Sequence, residues 1–285
     1  MSDFRLLLCT DLDRTLIPNG HQPESVNARL RFSHFCQNPE VSLVYVTGRH
    51  QQLVQQAIEE YQLPQPDFVI TDVGTKIYQV VDKDWIELPD WEKRISTDWR
   101  GKNRQQLEAY LKDIDALERQ EETKQNTYKL SYYVPLDADH HALMQQVSRC
   151  LEAQNIAASL VWSVDEPAQV GLLDILPRSA SKLHAIEFLQ HHLDLSDKQL
   201  LFAGDSGNDL HVLSSHLQSV LVANASAEVR TQAKILSSSQ GHVEQLYLAG
   251  EKSKDDNGNY ASGILQGVCH FMPEFCRLIE SRKAK

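Results

Sequence analysis

Short apolar segments recur along the chain, and each of them ends at a polar turn. Their residues are apolar almost throughout and do not alternate with polar ones, which is typical of parallel strands covered on both faces. The segments predicted as strands of one sheet are LLLCTD (6–11), VSLVYVTG (41–48), DFVITDVG (67–74), VGLLDILP (170–177), QLLFAGD (199–205) and SVLVAN (219–224).

Helical periodicity separates several of these segments. In HQQLVQQAIEEYQL (50–63), one stripe carries the apolar residues Leu53, Val54, Ala57, Ile58 and Tyr61. In SKLHAIEFLQHHL (181–193), a similar stripe carries Leu183, Ile186 and Leu189. Strands and helices in alternation predict an α/β core with a doubly wound, Rossmann-like parallel sheet.

The alternation is interrupted in the middle of the chain. Amphipathic helices are predicted there near 102–118 and 139–154, and strands with alternating apolar residues at 127–134 and 158–164. Because this section is too long for a loop, it is predicted to be a smaller α/β cap domain inserted into the core.

The predicted boundaries place the core domain at 1–82 and 168–285 and the inserted cap domain at 83–167. Towards the end of the chain, a polar loop is predicted at 251–260 and one helix at 262–280. The two parts of the core must therefore meet again in one sheet after the insertion.

Composition narrows the classes of protein. The chain has 28 Lys and Arg residues against 39 Asp and Glu residues, a formal charge of −11, and no basic stripe, so nucleic acid is not an expected partner. No apolar run approaches the roughly 20 residues that span a membrane, and the first residues lack a signal-peptide pattern. The five scattered cysteines are expected to be reduced. These features predict a soluble, cytoplasmic protein without membrane association.

Candidate chemistry begins directly after the first predicted strand. Asp11 and Asp13 stand one residue apart, with Thr15 two residues further on. Carboxylates at positions i and i+2 of a strand end point to the same side, so their charges repel unless a cation or a proton lies nearby.

Further polar residues follow the other predicted strands or begin the helix at 182. In an open parallel sheet, ligands bind at the carboxyl ends of the strands, so these side chains are expected to converge. The residues are Thr47, Gly48, Arg49, Lys182, Asp205, Asn208 and Asp209. Carboxylate oxygens suit Mg²⁺, and no set of imidazole and thiolate groups for zinc accompanies them. Such a carboxylate can attack phosphorus to give an aspartyl phosphate, while a lysine and hydroxyl groups hold the transferring oxygens.

Four segments, TDLDRT, VTGR, the lysine of SASK, and GDSGND, resemble the ordered motifs of the haloacid dehalogenase (HAD) superfamily of phosphotransferases. The resemblance implies that Asp11 is the nucleophile and that Asp13 is the acid and base. It implies that Asp11, Asp205 and the main-chain carbonyl of Asp13 ligate Mg²⁺. The residues to which it assigns the remaining roles are Thr47, Gly48, Lys182 and Asn208 for phosphate or substrate, and Asp209 for the waters of the metal or the positioning of the site.

Arg14 departs from this pattern, because the first motif of the superfamily usually has glycine there. The arginine could narrow the turn geometry, or it could reach the substrate or a neighbouring residue. The sequence alone favours a tolerated surface substitution.

The position of the insertion resembles that of the caps of sugar-phosphate phosphatases. Within that class, ITDVGTKIY (70–78), QNTYKLSYYV (125–134), SGND and SGILQGVCHF are similar to the sucrose-6-phosphate phosphatase family. The resemblance implies hydrolysis of sucrose-6-phosphate, a small sugar phosphate. By analogy Gln125, Lys129 and Arg49 are candidates to contact sugar hydroxyls, and the alternative for Lys129 is an outward-facing strand residue.

Other functions stay open at this point. The substrate could be glucosyl- or mannosyl-3-phosphoglycerate, mannosylfructose phosphate or trehalose-6-phosphate, and the same residues could serve a phosphomutase. The chain could also be an inactive partner of a glycosyltransferase such as sucrose-phosphate synthase, although all the expected catalytic residues are present. Association of an active enzyme with such a synthase is likewise left open.

Overall fold

The computed structural model describes residues 5–165, 168–253 and 256–280. The strands are β1 (Leu6–Thr10), β2 (Val41–Val46), β3 (Phe68–Thr71), β4 (Lys76–Val81), β5 (Asp84–Glu87), β6 (Glu118–Arg119), β7 (Leu130–Val134), β8 (Ala158–Asp165), β9 (Val170–Pro177), β10 (Leu200–Gly204), β11 (Ser219–Leu221) and β12 (Leu246–Leu248). The α-helices are α1 (Ala28–Cys36), α2 (Gln51–Glu60), α3 (Pro89–Ser96), α4 (Arg104–Leu111), α5 (His140–Glu152), α6 (Lys182–His192), α7 (Leu210–Leu213), α8 (Ala227–Ser239), α9 (Ala261–Phe271) and α10 (Pro273–Glu280).

The large sheet contains eight strands in the order β12-β11-β10-β1-β2-β3-β4-β5. The six strands from β12 to β3 are parallel, and β4 and β5 add an antiparallel edge. The residues of β1 are buried and alternate between the two faces, with Leu6 and Leu8 on one side and Leu7 and Cys9 on the other. Helices α1, α2, α9 and α10 cover the first side, and α3, α6, α7 and α8 cover the second. The predicted doubly wound α/β fold is confirmed.

The segment 170–177 was predicted as a strand of the large sheet, and this prediction is wrong. It forms β9, an inner strand of a separate four-stranded antiparallel sheet with the order β6-β7-β9-β8. Its side chains alternate after all: Leu173 and Ile175 pack beneath α4 and α5, whereas Leu172 and Asp174 face a cavity. The apolar run has the pattern of a buried parallel strand because both faces of the small sheet are covered. Helices cover one face, and the core lies opposite the other.

The boundaries of the insertion differ accordingly. Strands β4 and β5 belong to the large sheet, and α3 buries Trp91 and Ile95 against its second face, so the core continues to about residue 96 instead of ending at 82. The chain returns to the core after Pro177, not at 168. The predicted end of the cap at 167 lies outside the described residues.

The chain end also differs from its prediction. The expected single helix at 262–280 is broken into α9 and α10, because Pro273 cannot continue the hydrogen bonding of a helix and restricts the residue before it. Cys269 and Cys276 form a disulfide across this break, which corrects the expectation that they are reduced. Among the described residues, no helix is both long and apolar enough to cross a membrane.

Candidate active site

A cavity of about 990 Å³ lies between the carboxyl ends of the parallel strands and the small sheet. Loops that follow neighbouring strands converge at this edge of an α/β sheet. The predicted site residues that line the cavity are Asp11, Asp13, Thr47, Gly48, Arg49, Lys129, Lys182, Asp205 and Asn208. The tertiary structure thus brings together residues from distant motifs, and their individual roles stay predictions.

Lys182 lies buried between two carboxylates. Its Nζ donates hydrogen bonds to Asp11 Oδ1 at 2.8 Å and to Asp209 Oδ1 at 2.7 Å, with a longer contact of 3.3 Å to Asn208 Oδ1. Lys182 is the first residue of α6, whose N-terminus Ser181 caps by accepting from a backbone N–H, so the helix start directs the lysine to this point. Burial acts to lower the pKa of Lys182, but the two carboxylates outweigh it and raise the pKa above its usual value. The lysine is therefore charged.

Asp11 is held at the end of β1 next to this charge. Burial raises the pKa of its carboxyl to about 8, Lys182 acts in the opposite direction, and Asp209 and Asp205 add to the rise. Its second oxygen accepts a hydrogen bond from Thr15 Oγ1 at 3.3 Å. Any further positive charge at this point would favour the ionised form of Asp11.

Three buried carboxylates form an acidic cluster, in which oxygens of Asp11, Asp205 and Asp209 lie within 4.8 Å of one another. Oδ2 of Asp209 accepts from the backbone N–H groups of Asp205 and Ser206, both at 3.1 Å, while its Oδ1 accepts from Lys182. Asp209 is thus largely engaged in shaping the loop after β10. Burial raises the pKa of Asp205 to about 7, with a further rise from Asp209.

The composition of the cluster fits Mg²⁺, which prefers hard oxygen ligands. Asp11 and Asp205 are the carboxylates that would hold the ion, and Asp209 would position them. The carboxylate of Asp13 lies outside this cluster, so its predicted part in metal binding would rest on its main-chain carbonyl alone.

Asp13 is paired with a different cation. Arg49 donates from Nε to Asp13 Oδ2 at 2.8 Å and from Nη2 to Oδ1 at 2.6 Å, and Asn19 Nδ2 donates to Oδ1 at 2.7 Å. Burial acts to raise the pKa of Asp13, but these partners outweigh it and hold the pKa below its usual value. The two neighbouring aspartates therefore coexist because each faces its own cation. Arg49 also lines the cavity, and its contact with sugar stays a prediction.

A strained loop supports the segment predicted to bind phosphate, and the sequence analysis did not identify this loop as part of the site. Asp72 and Val73 have φ angles of 52° and 60°, a conformation that is costly for a β-branched residue, and Gly74 follows at 98°. The backbone N–H groups of Asp72 and Val73 donate to the carbonyls of Arg49 and Thr47 at 3.0 and 3.1 Å. The loop thereby holds the Thr47–Arg49 segment at the cavity. The signals in the sequence were Gly74 and the resemblance of the segment ITDVGTKIY to the family.

Lys129 reaches the cavity from the small sheet. Its side chain is buried, with Nζ 3.8 Å from both Asp72 Oδ1 and Asp174 Oδ1, and it donates to the carbonyl of Lys124 at 3.2 Å. The interpretation of Lys129 as an outward-facing strand residue is therefore wrong. Since Asp72 belongs to the core and Asp174 to β9, Lys129 bridges the two sides of the cavity.

Gln125 is not among the residues that line the cavity, and its contact with sugar stays a prediction. Its Nε2 donates to the carbonyls of Gln120 and Ser131 at 3.0 and 2.9 Å, and its Oε1 accepts from the N–H of Ser131 at 2.8 Å. The buried amide thus completes the backbone hydrogen bonding beside β7.

Trp162 borders the cavity, but its indole packs on the face of the small sheet that the helices cover. It lies on β8, stacks on His140 with ring centroids 4.8 Å apart, and covers Gly171, where an added Cβ would lie 2.1 Å from the indole. Gly171 therefore makes room for the indole. Trp162 pairs with Leu173, so its side chain lies on the same face as Leu173 and on the opposite face from Asp174.

Comparison with known proteins supports this reading of the fold and motifs. A HAD-like hydrolase of Nitrosococcus oceani is 53% identical over 270 residues, which cover 95% of this chain and 72% of that protein. Mannosylfructose-phosphate phosphatase of Agrobacterium fabrum is 31% identical over 93% of this chain and 96% of its own length. The solved structure of the sucrose-phosphatase from Synechocystis, in complex with sucrose and phosphate, superposes with a TM-score of 0.71 at 26% identity, covering 94% of this chain and 98% of that one. The chain spans 52–60% of the length of the plant sucrose-phosphatases it matches.

The fold and the similarity to known phosphatases place the chain among the phosphoric monoester hydrolases of the HAD superfamily. The profile of the sucrose-6F-phosphate phosphohydrolase family matches residues 4–272. The chain belongs to this family, which confirms the resemblance seen in its motifs.

Proposed function

We propose that this protein is a Mg²⁺-dependent phosphatase that hydrolyses sucrose-6-phosphate to sucrose and phosphate. The observation that carries the proposal is the buried pair of Lys182 and Asp11, 2.8 Å apart, beside an acidic cluster at the floor of the cavity. A phosphoryl group bound at Lys182 would lie directly next to the Asp11 carboxylate.

In the first step, an oxygen of Asp11 attacks phosphorus and the bond between phosphorus and the sugar oxygen breaks. Asp13 donates a proton to the departing sugar oxygen. Because the pair with Arg49 holds the pKa of Asp13 below its usual value, Asp13 takes up this proton only when bound substrate draws Arg49 away from it. In the second step, Asp13 removes a proton from water, which attacks the phosphoryl group and releases phosphate from Asp11. Lys182 binds phosphoryl oxygens, and bound Mg²⁺ would stabilise the negative charge that gathers there.

A sugar substrate is supported by the wall of the cavity that the small sheet provides. Lys129 and Asp174 offer a charged donor and acceptor for hydroxyl groups. The volume of about 990 Å³ is sufficient for a disaccharide phosphate. Since the specificity groups lie on the small sheet and the reacting groups on the core, related glycosyl phosphates are the appropriate competitors.

The proposal is tested by phosphate release from a panel that contains sucrose-6-phosphate, mannosylfructose phosphate, trehalose-6-phosphate and the two glycosyl-3-phosphoglycerates. Each is assayed with Mg²⁺ and with EDTA, with Asp11→Asn as the blank. We expect metal-dependent release that favours sucrose-6-phosphate. Preference for another member of the panel would support phosphatase activity but reject sucrose-6-phosphate as the substrate. Conversion of a sugar phosphate to an isomer without phosphate release would indicate a mutase, and no reaction would indicate an inactive binding partner.

A first prediction concerns Lys129. Lys129→Ala should raise the KM for the disaccharide phosphate by roughly tenfold or more, because a buried charged hydrogen-bond donor is lost. The KM for p-nitrophenyl phosphate, which has no sugar, should change by less than about twofold. Steady-state kinetics with both substrates measure the difference.

Lys112→Ala is the matched control, since Lys112 is an exposed lysine of the insertion that does not line the cavity. It should leave both KM values unchanged. Equal effects of Lys129→Ala on the two substrates would remove Lys129 from the sugar site.

Association with a glycosyltransferase of the sucrose-phosphate synthase type, and a cytoplasmic location, stay predictions.

A further inference from the structure

Arg14 stands in a turn that does not favour arginine. Its φ angle is 60°, in the left-handed region where glycine is preferred. Its backbone N–H donates to Asn19 Oδ1 at 2.8 Å, and its carbonyl accepts from Asn224 Nδ2. These contacts involve only the backbone of Arg14, so they hold the turn in place whatever side chain it carries. The arginine side chain therefore needs an explanation of its own.

The guanidinium of Arg14 lies next to the acidic cluster. Its Nε is 3.4 Å from Oδ2 of Asp205, whose side chain is only 3% exposed. The other oxygen of Asp205 accepts from Thr15 Oγ1 at 3.3 Å, so Oδ2 is the oxygen that faces Arg14. Arg14 itself lines the cavity, and 48% of its side chain is exposed. The sequence interpretation of a tolerated surface substitution is therefore incomplete.

The charges of the cluster show what this contact does. Lys182 partly offsets the negative charge of the cluster, because it contacts Asp11 and Asp209. Asp205 has no contact with Lys182 shorter than 4 Å among the ion pairs of the described residues, and its cation is Arg14. A divalent metal held by Asp205 would thus share that carboxylate with a guanidinium of the same sign of charge.

We propose that Arg14 is a counter-cation of Asp205 that competes with the divalent metal and so lowers the affinity of this chain for Mg²⁺. The inference rests on the proposed function in one respect, that Asp205 is a metal ligand. It concerns metal affinity and not the chemical step. Because the arginine is half exposed, its contribution is moderate and falls with rising salt.

The test is isothermal titration calorimetry of the protein with Mg²⁺ at low ionic strength. Arg14→Gln removes the charge and keeps the left-handed backbone conformation of a non-glycine residue, so its Kd should fall by about threefold to tenfold. Arg14→Lys keeps the charge, and its Kd should stay within about twofold of the wild type. Raising the salt concentration should narrow the difference between the wild type and Arg14→Gln.

Lys198→Gln is the control for net charge. Lys198 is exposed and precedes β10, whereas Asp205 follows the opposite end of that strand. The Kd of Lys198→Gln for Mg²⁺ should therefore equal that of the wild type. An unchanged or raised Kd in Arg14→Gln would overturn the inference, and with a raised KM it would make Arg14 a substrate ligand instead. If no variant binds Mg²⁺, the inference falls together with the proposed cofactor, whereas measurable binding with equal Kd values overturns the inference alone.

Discussion

Replacing Asp11 by asparagine is expected to abolish phosphate release while the protein remains folded. The amide has nearly the same size as the carboxylate but is a far poorer nucleophile, so kcat should fall by roughly four orders of magnitude or more. The fold should tolerate the change, because burial raises the pKa of Asp11 to about 8 and an uncharged group is therefore less costly at this position. Lys182 retains its contact with Asp209.

Phosphate release and thermal unfolding of the same preparation test both parts of this expectation. The melting temperature should equal or exceed that of the wild type. Asp137→Asn, an exposed substitution of the same kind outside the cavity, should leave both activity and stability unchanged. A kcat for Asp11→Asn within tenfold of the wild-type value would reject Asp11 as the nucleophile.

Replacing Lys182 by methionine is expected to remove activity and also to destabilise the fold. The lysine is the shared partner of Asp11 and Asp209, and all three side chains are buried. Methionine fills much of the same volume but leaves two buried carboxylates without their cation. Loss of one partner from a buried pair typically lowers the free energy of unfolding by about 3–5 kcal/mol. Urea unfolding in the presence of EDTA measures this change.

The destabilisation should depend on pH in a defined direction. The folded-state pKa of Asp11, about 8, lies above the ordinary value of a carboxyl group, so the folded state binds the proton more tightly than the unfolded state. Its contribution to stability is therefore largest at low pH and is lost as the pH rises from about 4 to about 8. Without Lys182 this pKa rises further. The loss caused by Lys182→Met should thus be smaller at pH 5 than at pH 8.

Lys234→Met is the matched control, since Lys234 is exposed on α8, and it should change the free energy of unfolding by less than about 0.5 kcal/mol. Lys182→Met with wild-type stability at pH 8 would mean that the two carboxylates do not need the lysine for the stability of the fold. Retained activity in this variant would remove Lys182 from the phosphate site.

The pattern of apolar and polar residues was sufficient to predict the strands that are buried on both faces. The strands that follow one another in the parallel sheet are covered on both faces, so their apolar runs identify them without knowledge of their neighbours. The polar residues after those strands, such as Asp11 and Asp205, could then be assigned to one edge of the sheet. Motif spacing and strand ends together thus located the floor of the site.

The pattern was insufficient where the hydrogen-bond partners of a strand or side chain decided its place in the structure. The apolar run at 170–177 suited either sheet, and only its pairing with β7 and β8 places it in the small one. Gln125 lies in a segment that resembles a sugar-binding motif, yet its amide forms hydrogen bonds with neighbouring backbone groups. Each of these outcomes depends on hydrogen bonds that local periodicity does not encode.

The sequence by itself determined the class of fold, the order of the motifs and the residue types at the reacting centre. The tertiary structure alone decided which charges meet: Lys182 with Asp11 across 171 positions, Arg49 with Asp13, and Arg14 with Asp205. The physical reason is that hydrophobic periodicity reports the burial of each residue against its immediate neighbours. Ion pairing depends on distances of a few ångströms between side chains, which are set only when the strands and loops have packed.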